Sequence, residues 1–202
     1  LEQNNLGICL REQLRNAAVD GDGCLYTYFD PDVETGQREK GEIRTEVLEN
    51  TRVIFGDPNE RRVQRQPYII IVTREDVDSI RARTGEDVPP DRIEYERRPE
   101  SFSDGKATVL LRFRKKDGRI LAAECVRDRM LRAEWDTGLT LYPITWLSWD
   151  YVQGSYHGQA AVTGLIPNQI FINKLFAMAM ISLMTTAYPK ILYDRTRIAG
   201  WD

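Results

Sequence analysis

The segment from residue 170 to residue 184 is apolar on almost every side, and this constrains the fold more than any other feature of the sequence. Only three of its residues are clearly polar: Asn173, Lys174 and Ser182. Pro167 suits the first turn of a helix, so the pattern predicts a long helix that is kinked or interrupted near Gly164. A helix that is apolar all round is normally buried in a large protein or between subunits. Since the chain has few other strong helices, the sequence predicts that neighbouring copies cover it.

A membrane span is the alternative use of such a helix, and the sequence argues against it. The uninterrupted apolar run covers residues 175–181, whereas a bilayer core requires roughly 20 residues. A longer span would place Asn173 and Lys174 in the hydrocarbon region. We therefore expect no membrane association.

Composition and charge fit a folded, intracellular domain. The 202 residues include 42% hydrophobic and 29% charged residues, and the formal net charge is −3. Proteins that bind nucleic acid or membrane surfaces tightly usually carry an excess of Lys and Arg, which is missing here. The three cysteines fit neither a disulfide framework nor a metal site, so we expect no metal and no cofactor. Residues 1–14 lack a secretory signal and an initial Met, and we expect the chain to be a piece of a longer protein.

Several short apolar and aromatic runs predict β-strands and an α+β fold. The run CLYTYF at 24–29 and the alternating EIRTEVL at 42–48 are expected to pair with each other. Residues 51–55 predict a further short strand. The continuous run YIIIV at 68–72 is typical of a strand that is covered on both faces. TLYPITWLSWDYV at 140–152 predicts an edge strand, because Pro143 cannot donate a ladder hydrogen bond.

Two shorter helices are predicted before residue 86. Four apolar residues at spacing four predict an amphipathic N-terminal helix, with Leu6, Leu10, Leu14 and Ala18 on its buried face. The turn Asp20-Gly21-Asp22-Gly23 should end it. TREDVDSIRARTG at 73–85 has the spacing of a capping box at Thr73 and Asp76, and Gly85 provides a stop. Val77 and Ile80 should face a partner element.

A proline-containing connection and a hairpin follow. Residues 86–106 include Pro89, Pro90 and Pro99, and they predict an extended connection and the best internal boundary. Asp117-Gly118 stands between two strand-like runs. This pair predicts a tight β-hairpin, because both central residues of the favoured turn need positive φ.

A group of basic side chains surrounds this hairpin, namely Arg112, Arg114, Lys115, Lys116 and Arg119. They could contact a DNA backbone or a protein partner, which makes a nucleic-acid-binding module acting through residues 112–119 the alternative function. Charged side chains also keep exposed strands from pairing with other chains. The acidic overall balance favours this second interpretation.

Catalytic motifs find little support in the sequence. His157 is the only histidine, and sequence spacing suggests neither an orienting carboxylate nor a nucleophile for it. We therefore interpret it as a capping or packing residue, with a hydrolase acting through His157 as the hypothesis to test. Asp20 to Gly23 resembles the start of a calcium loop, but the later ligands are missing. No Gly-rich phosphate loop is present, and we expect no enzyme activity.

Three stretches together resemble the portal proteins of tailed bacteriophages and prophages. The main likeness is TGLTLYPITWLSWDYVQGSYHGQAAVTGLIPNQIFINKLFAMAMISLMTTAYPKILYD at 137–194. GDGCLYTYFDPD at 21–32 and EIRTEVLENTRVIFGDPN at 42–59 support it. The likeness covers most of the chain but not a whole portal protein.

The resemblance implies an order of parts. Residues 1–72 would be a partial wing, 73–85 a first stem helix, 86–153 a clip, and 154–202 a second stem helix that starts near Gly158. Gln169, Asn173 and Lys174 would face the channel or hydrogen bond between helices. The apolar contacts between subunits would come from Phe171, Leu175, Phe176 and Met180.

The resemblance also implies a structural function without catalysis. Full-length subunits would form a ring, conventionally of twelve copies, at one vertex of the virion capsid. Double-stranded DNA would pass through it without sequence-specific binding during packaging and ejection. The expected protein partners are the terminase motor, head-tail connector proteins, and capsid and scaffolding proteins, with assembly in the bacterial host cytoplasm.

Overall fold

Two antiparallel sheets contain all the strands in the computed structural model of the chain, which describes residues 5–31, 33–34, 36, 40–91, 104–127, 129–187, 194 and 196–197. Helices accompany the sheets, and the expected α+β class is confirmed. The chain divides into two compact units, Leu1–Ala161 and Val162–Asp202. Both sheets lie in the first unit, and the long apolar helix lies in the second.

Sheet A has three strands, which are β1 (Asp22–Asp30), β2 (Glu42–Leu48) and β8 (Ile144–Ser148). Its order is β2-β1-β8, and both pairings are antiparallel. The predicted pairing of β1 with β2 is confirmed, with Cys24 opposite Leu48 and Phe29 opposite Ile43. β8 is an edge strand, as Pro143 immediately before it predicts.

Sheet B has five strands, which are β3 (Val53–Phe55), β4 (Tyr68–Asp76), β5 (Lys106–Lys116), β6 (Arg119–Val126) and β7 (Arg129–Asp136). They are neighbours in chain order, and all pairings are antiparallel. Ile69 and Ile71 of β4 are fully buried, whereas Ile70 and Val72 on its other face are half-buried. The prediction that both faces of this strand are covered is therefore correct for one face only.

The capping box predicted at Thr73 is wrong, because β4 continues through this region. Thr73 is opposite Val109 of β5, and the ladder extends to Asp76. Helix α2 (Val77–Thr84) begins only afterwards, and its N-cap residue Asp76 makes no side-chain cap hydrogen bond. Pairing with β5 satisfies the backbone groups that a helix would otherwise have used. The predicted stop is confirmed, because Gly85 has φ 76° and its N–H donates to the carbonyl of Arg81.

The connection after α2 lies within a single sheet. The strands on either side of it, β4 and β5, pair directly along the whole length of β4, and the boundary between the two compact units falls after Ala161 instead. Val88 is buried beside Ile80 in a small cluster that α2 forms on sheet B. Residues 92–103, with Pro99, lie outside the described part of the chain.

The main core lies between the two sheets. Its buried members include Cys24, Leu48, Phe55, Ile69, Ile71, Phe113, Ile120, Tyr142 and Ile144. Tyr142 is the polar member, and its hydroxyl donates to the carbonyl of Gln66 at 2.9 Å and accepts the N–H of Lys115 at 3.1 Å. This hydroxyl joins three separate chain segments without leaving a buried polar atom unsatisfied.

The N-terminal helix α1 (Leu6–Asp20) exists, but the predicted buried face is wrong. Leu10 and Leu14 are about half exposed, whereas Gln13 and Ala17 are buried. Gly23 in β1 permits this orientation, because a side chain there would collide with Gln13. The Gln13 amide also donates to carbonyl oxygens of β1 and of the segment that forms β8, at 3.2 and 3.4 Å. Polar bonds to the sheet therefore override the apolar spacing of the helix.

Candidate functional site

Helix α3 (Ile166–Ala187) is the candidate assembly surface. A 3₁₀ turn, Ala161–Leu165, precedes it and contains Gly164, where the sequence predicted a break. Pro167 lies in its first turn, where the backbone N–H groups have no acceptor within the helix. A residue without an N–H is therefore tolerated there. The predicted start near Gly158 is wrong, because residues before 161 belong to the first compact unit. Tyr188 and Pro189, which were expected to close the helix, lie outside the described residues.

No residue of α3 is buried within the described chain. Its large apolar side chains are 43–68% exposed, and they point to all sides of the helix: Ile166, Ile170, Phe171, Ile172, Leu175, Phe176, Met178, Met180, Ile181, Leu183 and Met184. Solvent-exposed apolar surface of this extent is unfavourable and marks a contact surface.

The predicted interface residues all lie on α3, where the structure brings two of them into contact. The Gln169 amide donates to the Asn173 side-chain oxygen at 2.9 Å, so these residues share one face as expected. Lys174 is the next residue and points about 100° away from Asn173 around the helix axis. The four apolar residues Phe171, Leu175, Phe176 and Met180 are all exposed and lie on several faces. α3 therefore has a short polar stripe at Gln169 and Asn173, and most of its other side chains are apolar.

The length argument against a membrane span does not hold for the whole helical segment. Ala161–Ala187 contains 27 residues and is long and apolar enough to cross a membrane by length and composition alone. Lys174 lies at the middle of this segment, where a lysine costs about 2.5–3.5 kcal/mol in a bilayer. The position of this charge, rather than the length, disfavours a span.

The basic hairpin forms as predicted. Asp117 and Gly118 have φ of 51° and 77°, and Lys116 is opposite Arg119 across the turn. Both turn residues thus adopt the left-handed conformation that a two-residue hairpin requires.

Acidic residues on β7 neutralise much of the positive charge of this hairpin. Arg114 donates two hydrogen bonds to Glu134, at 2.7 and 3.0 Å, and Arg112 lies 3.6 Å from the same carboxylate. Arg119 contacts Asp136 at 2.7 Å. The hydrogen bond from Arg114, with the charges of Arg112 and Lys116, lowers the pKa of Glu134. The arginines therefore form ion pairs within sheet B. Lys115 and Lys116 are the exposed cations at the tip of the hairpin.

His157 has an orienting carboxylate that sequence reasoning missed. Its Nδ1 lies 2.7 Å from an oxygen of Asp22, and the other oxygen of Asp22 accepts the Gly158 N–H at 2.8 Å. Asp22 is 1% exposed. The two residues are separated by 135 positions, so spacing along the sequence gives no signal for this pair. Asp22 belongs to the turn Asp20-Gly21-Asp22-Gly23. Gly21 of the same turn has φ 95° and is the C-cap residue of α1.

Aromatic rings enclose the imidazole on one side. Tyr156 lies 4.0 Å from the His157 ring between centroids, and Trp146 lies 5.9 Å from it. In the described part of the chain no hydroxyl or thiol hydrogen bonds to the imidazole, and the Ser155 hydroxyl accepts the His157 backbone N–H instead. The pair lacks the nucleophile that a hydrolytic site needs. Its visible effect is to fasten residues 156–158 to sheet A.

Among the described residues, no group of three or more His, Cys, Asp and Glu side chains is arranged to hold a metal ion. No protein-family model matches the chain, and a search of curated proteins gave no match either.

Proposed function

We propose that this chain is part of a portal-type subunit, a structural protein that assembles into a ring at one vertex of a virion capsid. The ring would conduct double-stranded DNA during packaging and ejection. It would also give the terminase motor, the connector proteins and the capsid and scaffolding proteins a surface on which to dock. ATP hydrolysis would belong to the motor.

The exposed apolar surface of α3 carries this proposal. Its large apolar side chains remain 43–68% exposed around the whole helix, so the described residues of one chain do not bury them. In a ring, each helix has neighbours on both sides, and the same two complementary surfaces meet at every boundary between subunits, so the heterologous contacts close on themselves. The stripe of Gln169 and Asn173 then faces either the channel or a polar group of the next helix.

Charge distribution supports a conduit that does not hold DNA. The net charge is −3, and the arginines of the hairpin are engaged by Glu134 and Asp136. A lining rich in unpaired cations would bind phosphates and slow their passage. The same ion pairs weaken the alternative of a nucleic-acid-binding module at residues 112–119.

The proposal treats the β-rich part as one body. Sheet B joins β4, which the resemblance assigns to the wing and first stem helix, to β5 and β6, which it assigns to the clip. The proposed function therefore depends on α3 and on ring formation. It does not require that the wing and the clip be separate domains in this chain.

Imaging and mass measurement of the full-length protein test the proposal. We expect rings by negative-stain electron microscopy and a matching oligomer mass by light scattering. The double variant Phe176→Asp/Met180→Asp should convert the rings to monomers, because both side chains are more than 60% exposed in the single chain and would be buried in the ring. The matched variant Phe176→Leu/Met180→Leu keeps the apolar surface and should keep the rings.

Two results would overturn this function. A full-length protein that stays monomeric at micromolar concentration has no ring to form. A protein that floats with phosphatidylcholine vesicles, and loses this binding in the aspartate variant, inserts α3 into lipid instead.

A further inference from the structure

A cleft of about 600 Å³ opens between the two sheets of the first compact unit, and we call it the inter-sheet cleft. Its walls include Tyr26, Tyr28, Phe29, Phe113, Arg132 and Trp135. This volume lies within the range of roughly 300–1,000 Å³ that is usual for ligand sites. None of these residues belongs to α3 or to the basic hairpin group.

The walls contain the side chains that contribute most to protein recognition. Tyr26 and Tyr28 stack with centroids 5.1 Å apart, and Tyr26 also lies 6.1 Å from Phe113. The Arg132 guanidinium lies over the Trp135 ring at 3.9 Å. Trp, Tyr and Arg are the residues most enriched among those that dominate binding energy at interfaces.

Arg132 is the cation of the cleft, and it has no ionic partner among the described residues. Asp136, the acidic residue of the same lining, contacts Arg119 and accepts the Gly138 N–H. Glu124, opposite Arg132 in the β6–β7 ladder, receives two hydrogen bonds from Arg83, at 2.6 and 3.2 Å. The stacked guanidinium makes no hydrogen bond to another described residue, so its donors are available for one carboxylate.

The mouth of the cleft continues into an exposed apolar area. Phe29 and Ile43 are cross-strand neighbours of β1 and β2, and they are 60% and 59% exposed. Leu139, on the opposite side, is 42% exposed. A small molecule inside the cleft would leave these side chains in water, whereas an extended chain that runs out of the cleft would cover them.

We propose that the inter-sheet cleft binds an extended peptide segment of a partner protein, with one carboxylate placed between bulky apolar side chains. The carboxylate pairs with Arg132, and the apolar side chains contact Trp135 and the stacked tyrosines. Nucleic acid fits less well, because a polyphosphate needs several free cations, whereas Arg83 on the adjoining surface is already paired with Glu75 and Glu124. This inference does not depend on the ring.

Two labelled octapeptides test the inference. The first has one aspartate between two phenylalanines in a background of serine and glycine, and the second has asparagine in place of the aspartate. Fluorescence anisotropy should show about tenfold tighter binding of the aspartate peptide, since a charge-assisted hydrogen bond contributes roughly that factor. Arg132→Gln should remove this difference. Arg61→Gln is the control, because Arg61 stacks on Tyr151 outside the cleft lining and should leave the difference intact.

Exposed Arg132 can be replaced without loss of core packing, so a failure to fold does not obscure the result. Adhesion of the peptides to α3 is the same in both arginine variants, so it cannot produce a difference that Arg132→Gln removes. Equal binding of the two peptides, or a difference that survives Arg132→Gln, would overturn the proposal. If 4-phenylbutyrate alone competes with the peptide at equal concentration, the occupant is a small aromatic acid and the peptide assignment fails.

Discussion

At the scale of single residues, the buried thiol of Cys24 makes the free energy of unfolding depend on pH in the alkaline range. Its side chain is fully buried between the sheets, and burial raises the pKa of the thiol from 9.0 to about 12. The unfolded chain loses this proton from pH 9 upward while the folded chain keeps it. The free energy of unfolding therefore begins to fall as pH approaches 9 and falls more steeply above it, whereas well below pH 9 the thiol contributes no pH dependence.

Between pH 9 and pH 10 the free energy of unfolding should fall in the natural chain, partly because the Cys24 thiol ionises in the unfolded state. We expect it to fall by about 1 kcal/mol less in the variant Cys24→Ala. Urea denaturation at pH 8, 9 and 10 measures this. The interval stops at pH 10 because Tyr26 and Tyr28, whose pKa values are raised to about 12, add their own losses at higher pH. Cys125→Ala, at a half-buried position, is the control for loss of a thiol. An unchanged slope in Cys24→Ala would mean that Cys24 ionises within the folded protein.

The contact between Asp22 and His157 shows what residue types alone cannot reveal. Asp22 is the first residue of β1, whereas His157 follows β8, late in the sequence of the first unit. Only the pairing of these two strands brings the side chains to 2.7 Å. By contrast, Gln169 and Asn173 are one helical turn apart, so their contact followed directly from the sequence.

At the scale of elements, α1 gives a direct comparison between sequence pattern and packing. Gln13 is buried and bonds to two strand carbonyls, whereas Leu14 is 52% exposed. Gln13→Ala should therefore lower the free energy of unfolding by about 1–2 kcal/mol, since it removes buried hydrogen bonds. Leu14→Ala should change it by about 0.5 kcal/mol or less. Urea denaturation of the two variants side by side would contradict this orientation if Leu14→Ala were the more damaging change.

Local signals were sufficient for most elements of the fold. The hairpin at Asp117-Gly118, the β1–β2 pairing and α3 each depend on residues that are close in the chain, and all three are present. The extension of β4 to Asp76 was missed because its cause is the nine-residue ladder with β5, which lies beyond a long connection. The pairing of β4 with β5 therefore outweighs the local pattern that predicted a helix start at Thr73.

At the scale of the whole molecule, the described clusters of buried side chains all lie before Ala161. α3 contributes no buried residue. We therefore expect a chain that ends at Ala161 to fold with a free energy of unfolding within about 1 kcal/mol of that of the complete sequence. It should also lose the self-association that we propose for α3.

Circular dichroism with urea denaturation measures the stability of the shortened chain, and light scattering measures its mass. A comparison chain that keeps α3 with the Phe176→Asp/Met180→Asp change separates the effect of chain length from that of apolar surface. Loss of a cooperative transition in the shortened chain would show that residues beyond Ala161 support the sheets.

The central position of β1 in sheet A has a consequence for synthesis on the ribosome. Its two neighbours are β2, which follows at once, and β8, which comes near the end of the first unit. Synthesis adds about 5–20 residues per second, so roughly ten seconds separate the emergence of the two partners. During that interval β1 and β2 form a two-stranded hairpin that packs only against α1, and the second edge of β1 stays unpaired. The nascent chain must keep this unfinished edge from pairing with other nascent chains until β8 arrives.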